Sequence, residues 1–355
     1  MIVFGILVFA CQKPEQKLLW LKIDPHVHSS VGSNDTDGLG TPERIRERLI
    51  AAQLDGIWVS DHSNAQGSMH CDDPEDCPNL GPELSHAGWP ENVLLASEIS
   101  PRSDELSQAT GHVGCLPLEK NHFTTDAFVD RPFGTVTGAM AVDACRQAQG
   151  FTIVNHPFGP TPWVAFDFST LAFDGLEIYN GSAGFDRSDA QAFQYWEEQL
   201  AQGRFYIPIG GSDCHRWDTP PPGDLLNPSL GWPHTKIGIK EGEEWITGLI
   251  AGRVIIGDPS SSLMLYAQTP KEAYYPGMKA PINSTLIIEA HTDEEAMRVE
   301  LRSAQDGIII EAELTEPQKL IFESAPKGIY YARIMPIEER YGIRGIALTA
   351  PIFVE

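Results

Sequence analysis

The chain is 355 residues long, 42% of them hydrophobic, and carries a formal net charge of -24 at pH 7. This length fits either one large α/β barrel with an appendage or two medium domains. The negative charge excludes a general affinity for nucleic acid or for anionic membrane surfaces, since both require positive charge to displace counterions. We therefore expect that any anionic substrate is held locally, by metal.

Residues 1–11, MIVFGILVFAC, form an apolar stretch that is too short to span a bilayer and ends in a cysteine. The stretch resembles the end of a bacterial lipoprotein signal peptide, in which Cys11 would carry the lipid. This resemblance implies a signal and tether over residues 1–19, export to the periplasm or cell envelope, and membrane contact only through Cys11. The alternative is a cytoplasmic protein that begins with a frayed terminal strand.

The other five cysteines are an odd number without zinc-finger spacing, so a disulfide framework is not predicted. Cys71 and Cys77 bracket an acidic loop, which they would close as a small disulfide in an oxidising compartment or leave as two unpaired thiols. The three later cysteines lie in apolar or crowded contexts and are predicted to be buried, unpaired thiols. These are Cys115, Cys145 and Cys214.

Between residues 20 and 260, short apolar runs alternate with helical patterns, from LWLKID to FYIPIGGSDCH. Strands that recur between helices predict parallel βαβ units and, at this number, an α/β barrel. The best-signalled helix covers residues 42–53, because Thr41 is a plausible N-cap and Pro42 occupies the first helical position.

The pattern of apolar and polar residues changes over residues 261–355. Segments such as MRVELRSA and GIYYARIMP alternate apolar with polar residues and are separated by glycine, proline and charged turns. This alternation is typical of antiparallel strands, so we predict a small C-terminal antiparallel, β-sandwich-like module. His291 is alone there and is predicted to be an ordinary surface or core residue.

Six of the eleven histidines lie at or just beyond the ends of the apolar runs of residues 20–260, accompanied by carboxylates. Strand ends are where an α/β enzyme collects ligands from distant parts of its sequence, and imidazole with carboxylate suits borderline and harder divalent cations. In DPHVH at 24–28, the two histidines are two residues apart and point the same way on a strand. The pattern predicts a polynuclear metal site. Its candidate ligands are His26, His28, Asp37, His62, Glu98, His112, His156, Asp213 and His215.

The order of these residues, HxH, DG, DH, E, H, H and DxH, resembles the PHP (polymerase and histidinol phosphatase) superfamily of metallohydrolases over residues 21–260. The resemblance implies a distorted (β/α)7 barrel that binds two or three divalent ions, Zn, Mn or Fe, at one mouth. By motif it assigns His26, His28, Glu98 and Asp213 to a first ion, Glu98, His112 and His156 to a second, and Asp37, His62 and His215 to a third. Asp35 competes with Asp37 at the third ion.

Beyond the ligands, residues 96–118, residues 231–261 and the β-rich tail look like the CehA/McbA-type branch of that superfamily, which includes carbamate-hydrolysing members. The resemblance implies a metal-dependent hydrolase. We expect a phosphoesterase that uses a metal-bridged hydroxide, with carbamate or carboxylic ester hydrolysis as the alternative. The competing hypothesis is a non-catalytic, metal-stabilised binding module.

Three ligands are also the predicted catalytic residues, since Glu98 would bridge two ions and either Asp213 or His215 could shuttle a proton. Three further residues stand beside ligands and could either orient an imidazole N–H or cap a strand end. These are Asp24, Asp61 and Asn155.

The substrate is expected to be a small phosphoester or ester. Arg102 and Arg216 lie close to predicted ligands, where they could clamp a phosphate or pair with local acids. Aromatic residues that could line the pocket or pack in the core are Phe158, Trp163 and Trp217. The remaining histidines, His70, His86, His122 and His234, are predicted to lie in loops and are not assigned to metal. The sequence leaves the oligomeric state open.

Overall fold

The computed structural model describes residues 17–33, 35–62, 88–101, 111–118, 137–159, 163, 167–181, 184–221, 223–224 and 227–355. The predictions for Cys11, Cys71, Cys77 and Arg102 lie outside these residues, as do those for His70, His86 and His122. None of the helices in the described part of the chain has the length and hydropathy needed to cross a bilayer.

Strands dominate the structure, and the helices are few. The helices are α1 (Pro42–Ala51), α2 (Gly138–Gln147), α3 (Arg187–Ala201) and α4 (Trp245–Ile250), with a short 3-10 helix at Phe168–Thr170. The strands of the N-terminal part are β1 (Leu19–Val27), β2 (Gly56–Val59), β3 (Val93–Leu95), β4 (Ser97–Ile99), β5 (His112–Pro117), β6 (Gly150–Asn155), β7 (Gly175–Asn180), β8 (Ile207–Gly211), β9 (Gly223–Asp224), β10 (Asn227–Pro228), β11 (His234–Ile239) and β12 (Val254–Gly257).

Helix α1 confirms the best-signalled helix of the sequence. The Thr41 hydroxyl accepts a hydrogen bond from the backbone N–H of Arg44 at 3.3 Å, which satisfies one of the free amides of the first turn. Ile45 and Leu49 form its buried face. The helix ends before residue 53 because Gln53 has a φ of 54°, outside the helical region.

The barrel strands lie in two sheets rather than in one closed parallel barrel. In the first sheet β11, β1, β2 and β3 are neighbours, and in the second β4 to β8 follow one another. Only β1–β2, β2–β3, β6–β7 and β7–β8 are parallel, whereas β1–β11, β11–β12, β4–β5 and β5–β6 are antiparallel. The predicted run of parallel βαβ units is therefore wrong for half of these pairs. A fully buried strand reads as a continuous apolar run in either direction, so the sequence pattern carries no information on strand direction.

Isolated bridges connect the two sheets at one end. Val27, the last residue of β1, pairs with Cys214, and His62, beyond the end of β2, pairs with Glu98; both bridges are parallel. Within the described residues the sheets meet at these bridges and do not close into one continuous barrel. This end of the molecule is where the predicted ligands leave their strands.

The C-terminal part is built almost entirely from antiparallel strands, with one parallel pair, β15–β22. Its strands are β13 (Ser261–Gln268), β14 (Ala273–Tyr274), β15 (Lys279–Ala280), β16 (Thr285–Thr292), β17 (Met297–Ser303), β18 (Gly307–Glu313), β19 (Gln318–Phe322), β20 (Gly328–Pro336), β21 (Ala347–Thr349) and β22 (Ile352–Val354). Four of them form a separate sheet, ordered β14-β13-β16-β19. The others extend the first barrel sheet, because β12 pairs with β21, so that sheet crosses residue 260 without a break.

Cys115 and Cys145 form a disulfide bond, contrary to the prediction that both are unpaired thiols. The bond joins β5 to α2 across a sequence separation of 30 residues, a tertiary contact that cysteine spacing does not indicate. Position 150 packs against it so closely that a Cβ there would lie 2.5 Å from both sulfur atoms, so Gly150 leaves room for the bond. Cys214 is a buried free thiol, as predicted.

Candidate metal centre

Strand β1 delivers the first two candidate ligands. His26 and His28 are both almost fully buried, and their Nε2 atoms are 3.3 Å apart. The backbone continues to pair with the segment after β8, since Asp213 N–H donates to the carbonyl of His26 at 2.7 Å. This pairing places the HxH motif directly against the DxH motif, although the two motifs are far apart in the sequence.

Glu98, on β4, occupies the centre of the cluster. The residue is 1% exposed, and one of its carboxylate oxygens lies within 3.5 Å of a ring nitrogen of each of five histidines. These histidines are His26 at 3.2 Å, His28 at 3.5 Å, His62 at 3.3 Å, His112 at 3.0 Å and His156 at 3.4 Å. The Asn155 amide donates to Glu98 Oε1 at 2.8 Å and fixes that oxygen. A carboxylate so placed can bridge ions held by different histidines.

Asp213 and His215 complete the cluster on its open side. Asp213 Oδ1 lies 3.2 Å from the Nε2 atoms of both His26 and His28. The Asp213 and His215 side chains keep 16% and 28% of their surface exposed, so the cluster can be reached from solvent there. Asp213 and His156 adopt positive φ values of 54° and 25°. Such backbone costs on the order of 1–3 kcal/mol per residue and is concentrated at functional sites.

The carboxylate beside His62 and His215 is Asp35, not the predicted Asp37. Asp35 Oδ2 lies 3.2 Å from His62 Nε2 and 3.4 Å from His215 Nε2. Asp37 instead accepts backbone hydrogen bonds from Leu39 at 2.9 Å and from Trp217 at 2.8 Å. Asp37 as a ligand of the third ion stays a prediction, and Asp35, its competitor in the sequence, is the carboxylate that faces the two imidazoles.

Charge crowding shifts the pKa values in the cluster in opposite directions. Burial alone would raise the pKa of Glu98, but the neighbouring histidines, His112 and His26 first, hold it well below its usual range. Burial and the charge of His215 lower the pKa of His28 to about 3. For His215, Asp35 and Asp213 outweigh burial and raise the pKa to about 9. These shifts favour an ionised Glu98, a neutral His28 and a protonated His215 at neutral pH.

The donor atoms fit divalent ions. Four groups of three side chains each bring a ligand atom within 4.8 Å of the others: His28, His62 and His215; His26, His28 and Glu98; His26, His156 and Asp213; and His62, Glu98 and His112. Every predicted ligand except Asp37 belongs to at least one group. Among the described residues, no lysine or arginine nitrogen lies within 4.0 Å of the Glu98, Asp213 or Asp35 carboxylates. Buried His156 Nδ1 also has no hydrogen-bond partner in that part of the chain.

Glu177, on β7, supports the cluster and was missed by sequence reasoning. Its Oε1 accepts from His26 Nδ1 at 2.9 Å, and its Oε2 accepts from the backbone N–H of His156 at 2.8 Å. Asn180, at the end of the same strand, donates to Glu177 Oε2 at 3.1 Å and to Asp213 Oδ2 at 3.3 Å. The available signal was a carboxylate inside the apolar run GLEIYN, where an unpaired charge is costly.

None of the three residues predicted to orient an imidazole contacts an imidazole ring nitrogen. Asp24 accepts from the backbone of Ser212 and Gly231, and Asp61 from Ser29 and Ser33, so both hold strand ends, the alternative that the sequence left open. Burial raises the pKa of both aspartates to about 6. Asn155 binds Glu98, as described above, instead of a ring N–H.

Five predicted residues outside the ligand set also lie in the described part of the chain. His234 is not a loop residue: it begins β11, is buried, and burial lowers its pKa to about 3. Arg216 follows His215 directly and is exposed. Trp217 is buried, and its indole N–H donates to the carbonyl of His28 at 2.8 Å, so it braces the HxH segment. Phe158 and Trp163 both pack in T-shaped contacts against Phe168.

Comparisons with solved structures find similar folds, two of which are given below. No protein-family model and no curated protein matches the chain. The structure is similar to a crystal structure of PsfC from Pseudomonas syringae, with a TM-score of 0.38 and 18% identity over 61% of this chain and 82% of that one. It is also similar to an amidohydrolase from Chromobacterium violaceum, with a TM-score of 0.34 and 15% identity over 59% of this chain and 91% of that one. Because both TM-scores lie below 0.5, neither structure assigns an activity to this chain.

Proposed function

We propose that this chain is a metal-dependent hydrolase and that its substrate is a phosphoester. The observation that carries the proposal is the composition of the cluster: six imidazoles and three carboxylates converge around Glu98, and among the described residues no lysine or arginine neutralises those carboxylates. Such a donor set suits Zn, Mn or Fe.

The residues that would hold the ions overlap through shared ligands. Of the shared residues only Glu98 has two oxygens that can serve two ions at once: Glu98, His26 and His28 would serve one ion and Glu98, His62 and His112 another, and His215 with Asp35 would serve a third. Divalent ions at these positions would supply an activated water and neutralise charge on the oxygen of the attacked group, and neighbouring ions suit phosphoryl transfer. The number of ions, two or three, is part of the proposal.

The chain's own groups then orient the substrate and move the proton. Asp213 and His215 border the exposed side of the cluster, so a substrate enters beside them. His215 Nδ1 lies 2.8 Å from the backbone carbonyl of Asp213, which fixes its ring and leaves Nε2 directed toward Asp35. We propose that Asp213 or His215, whichever is not bound to an ion, accepts the proton of the attacking water and passes it to the leaving group, and that Glu98 holds two ions side by side.

We also propose that the protein is exported and anchored through a lipid on Cys11. Support comes from the buried Cys115–Cys145 bond, because structural disulfides persist in oxidising compartments and are rare in the cytosol.

Substrate turnover by matched variants tests the proposal. The assay measures turnover of p-nitrophenyl phosphate, bis-p-nitrophenyl phosphate and a naphthyl carbamate. It compares wild type with Glu98→Gln and with Glu47→Gln, a control that makes the same change at an exposed residue of α1. We expect a phosphate ester to be the best substrate, with turnover lost only in Glu98→Gln. If the carbamate is turned over faster than both phosphate esters, the substrate is a carbamate and not a phosphoester. Bound metal without turnover of any of the three compounds would favour the binding-module hypothesis.

A further inference from the structure

A loop of the C-terminal part, residues 337–346, contacts the segments beside the metal centre; we term it the module loop. Phe185, five residues beyond Asn180, donates to the carbonyl of Ile343 at 2.7 Å and accepts from the N–H of Gly342 at 2.8 Å. Gly345 N–H donates to Asp258 Oδ2 at 2.7 Å. Hydrogen bonds therefore hold the module loop to Phe185 and to Asp258.

Trp232 connects the module loop to the segment that carries Asp213. The backbone of Trp232 packs against the end of β7 so tightly that a Cβ on Gly181 would lie 2.6 Å from the Trp232 carbonyl oxygen and 2.2 Å from that of Ser212. Ser212 is adjacent to Asp213. On its ring face Trp232 carries Arg344, whose Cζ is 5.5 Å from the ring centroid. Arg344 therefore lies on the ring of a tryptophan whose backbone borders Gly181 and, through it, Ser212, the residue before Asp213.

Among the described residues, no carboxylate oxygen lies within 4.0 Å of the Arg344 guanidinium. Arg344 is partly buried, and within that part of the chain it forms neither an ion pair nor a side-chain hydrogen bond. It lines a cavity of about 250 Å³ together with Arg340 and Glu294, whose carboxylate is not within 4.0 Å of it. A guanidinium held over an indole ring keeps its N–H groups free, and its planar fork matches carboxylate and phosphate oxygens.

We propose that Arg344 is a specificity-determining residue that binds a second anionic group of the substrate, distant from the bond that is cleaved. This inference rests on the proposed function. The metal centre holds the reacting group, and the module loop selects substrates that also carry a negative charge at their far end. In a chain with a net charge of -24, such a local positive group decides which anions bind productively.

The test compares two pairs of compounds that differ only in a distal carboxylate. The substrates are 4-carboxyphenyl phosphate and phenyl phosphate, and the non-hydrolysable analogues are 4-phosphonobenzoate and phenylphosphonate. Wild type, Arg344→Ala and Arg344→Lys are compared with Arg204→Ala, which removes the same charge at the opposite end of β8 from Asp213. We expect wild type to prefer each carboxylate compound by about tenfold in KM or Kd, a difference within reach of one charge-assisted contact. Arg344→Ala should lose that preference with little change in kcat, and Arg344→Lys should restore part of it.

The binding measurements separate the two proposals. If wild type binds 4-phosphonobenzoate more tightly than phenylphosphonate but hydrolyses neither phosphate, the phosphoesterase proposal fails and the role of Arg344 stands. A wild type that does not favour the carboxylate, or an Arg344→Ala variant that keeps the preference, overturns the role of Arg344. An equal loss in Arg204→Ala would overturn it as well, because the effect would then come from overall charge.

Discussion

Two glutamates, Glu98 in the N-terminal part and Glu300 in the C-terminal part, are 1% and 0% exposed, and each is surrounded by groups that can carry positive charge. The neighbours of Glu98 are imidazoles, which can give up their protons and offer lone pairs. The neighbours of Glu300 are guanidiniums, from Arg298 at 2.7 Å, Arg302 at 2.9 Å and Arg333 at 2.7 Å. Arginine is always protonated and has no lone pair for a metal.

The difference shows that burial of a carboxylate does not by itself indicate a functional site. The Glu300 cluster neutralises itself with permanent cations and joins the two parts of the chain, because Arg302 and Arg333 also lie 3.0 and 3.5 Å from Glu197 on α3. The Glu98 cluster has no permanent cation within 4.0 Å among the described residues, and its imidazoles can balance the carboxylates either by binding protons or by holding divalent ions. We interpret the first cluster as structural and the second as a metal centre.

The largest effect on stability should come from breaking the arginine cluster. Removing one partner of a buried ion pair costs about 3–5 kcal/mol, so Glu300→Gln should lower the free energy of unfolding by about that amount. Urea denaturation measures the change. Glu289→Gln is the matched control, since Glu289 pairs with Lys319 at 3.0 Å with about half of its side-chain surface exposed and should contribute less than about 1 kcal/mol.

The free energy of unfolding of Glu300→Gln should also depend on pH differently from that of wild type. Although burial opposes it, the charges of Arg333 and the other arginines lower the pKa of Glu300 in the folded protein. A lowered carboxyl pKa stabilises the fold above the unfolded value, and this contribution is lost as the pH falls below that value toward the folded pKa. Wild type should therefore lose more stability than Glu300→Gln between pH 7 and pH 4. Parallel stability curves for the two proteins would show that Glu300 is not the group responsible.

A smaller effect is expected from the carboxylate behind His26. Glu177→Gln keeps the shape of the side chain but weakens the hydrogen bond that orients the His26 ring, which typically costs 10- to 100-fold in metal affinity. Competition with a chromogenic chelator measures the affinity, and Glu47→Gln again supplies the surface control. An unchanged affinity would mean that the Glu177 side chain only anchors the backbone N–H of His156 and does not orient the His26 ring.

The sequence predicted the meeting point of the histidines but not the fold that brings them together. His26, His62 and His215 follow apolar strands, and the ends of neighbouring strands share one edge, so their convergence follows from pattern alone. Tertiary packing leaves no periodic signal in a single sequence. It decides the strand directions, the Cys115–Cys145 bond and the contact of Arg344 with the Trp232 ring. Asp35 was separable from Asp37 only by the turn that the loop adopts.

The most direct test of the metal centre is the metal content of three proteins purified without chelator: wild type, Glu98→Gln and Glu300→Gln. We predict two or three divalent ions per chain in wild type and in Glu300→Gln, and fewer in Glu98→Gln, because Glu98 contributes to two of the four ligand groups. Wild type without bound metal, or Glu98→Gln with the full complement, would contradict the assignment of this cluster as a metal centre.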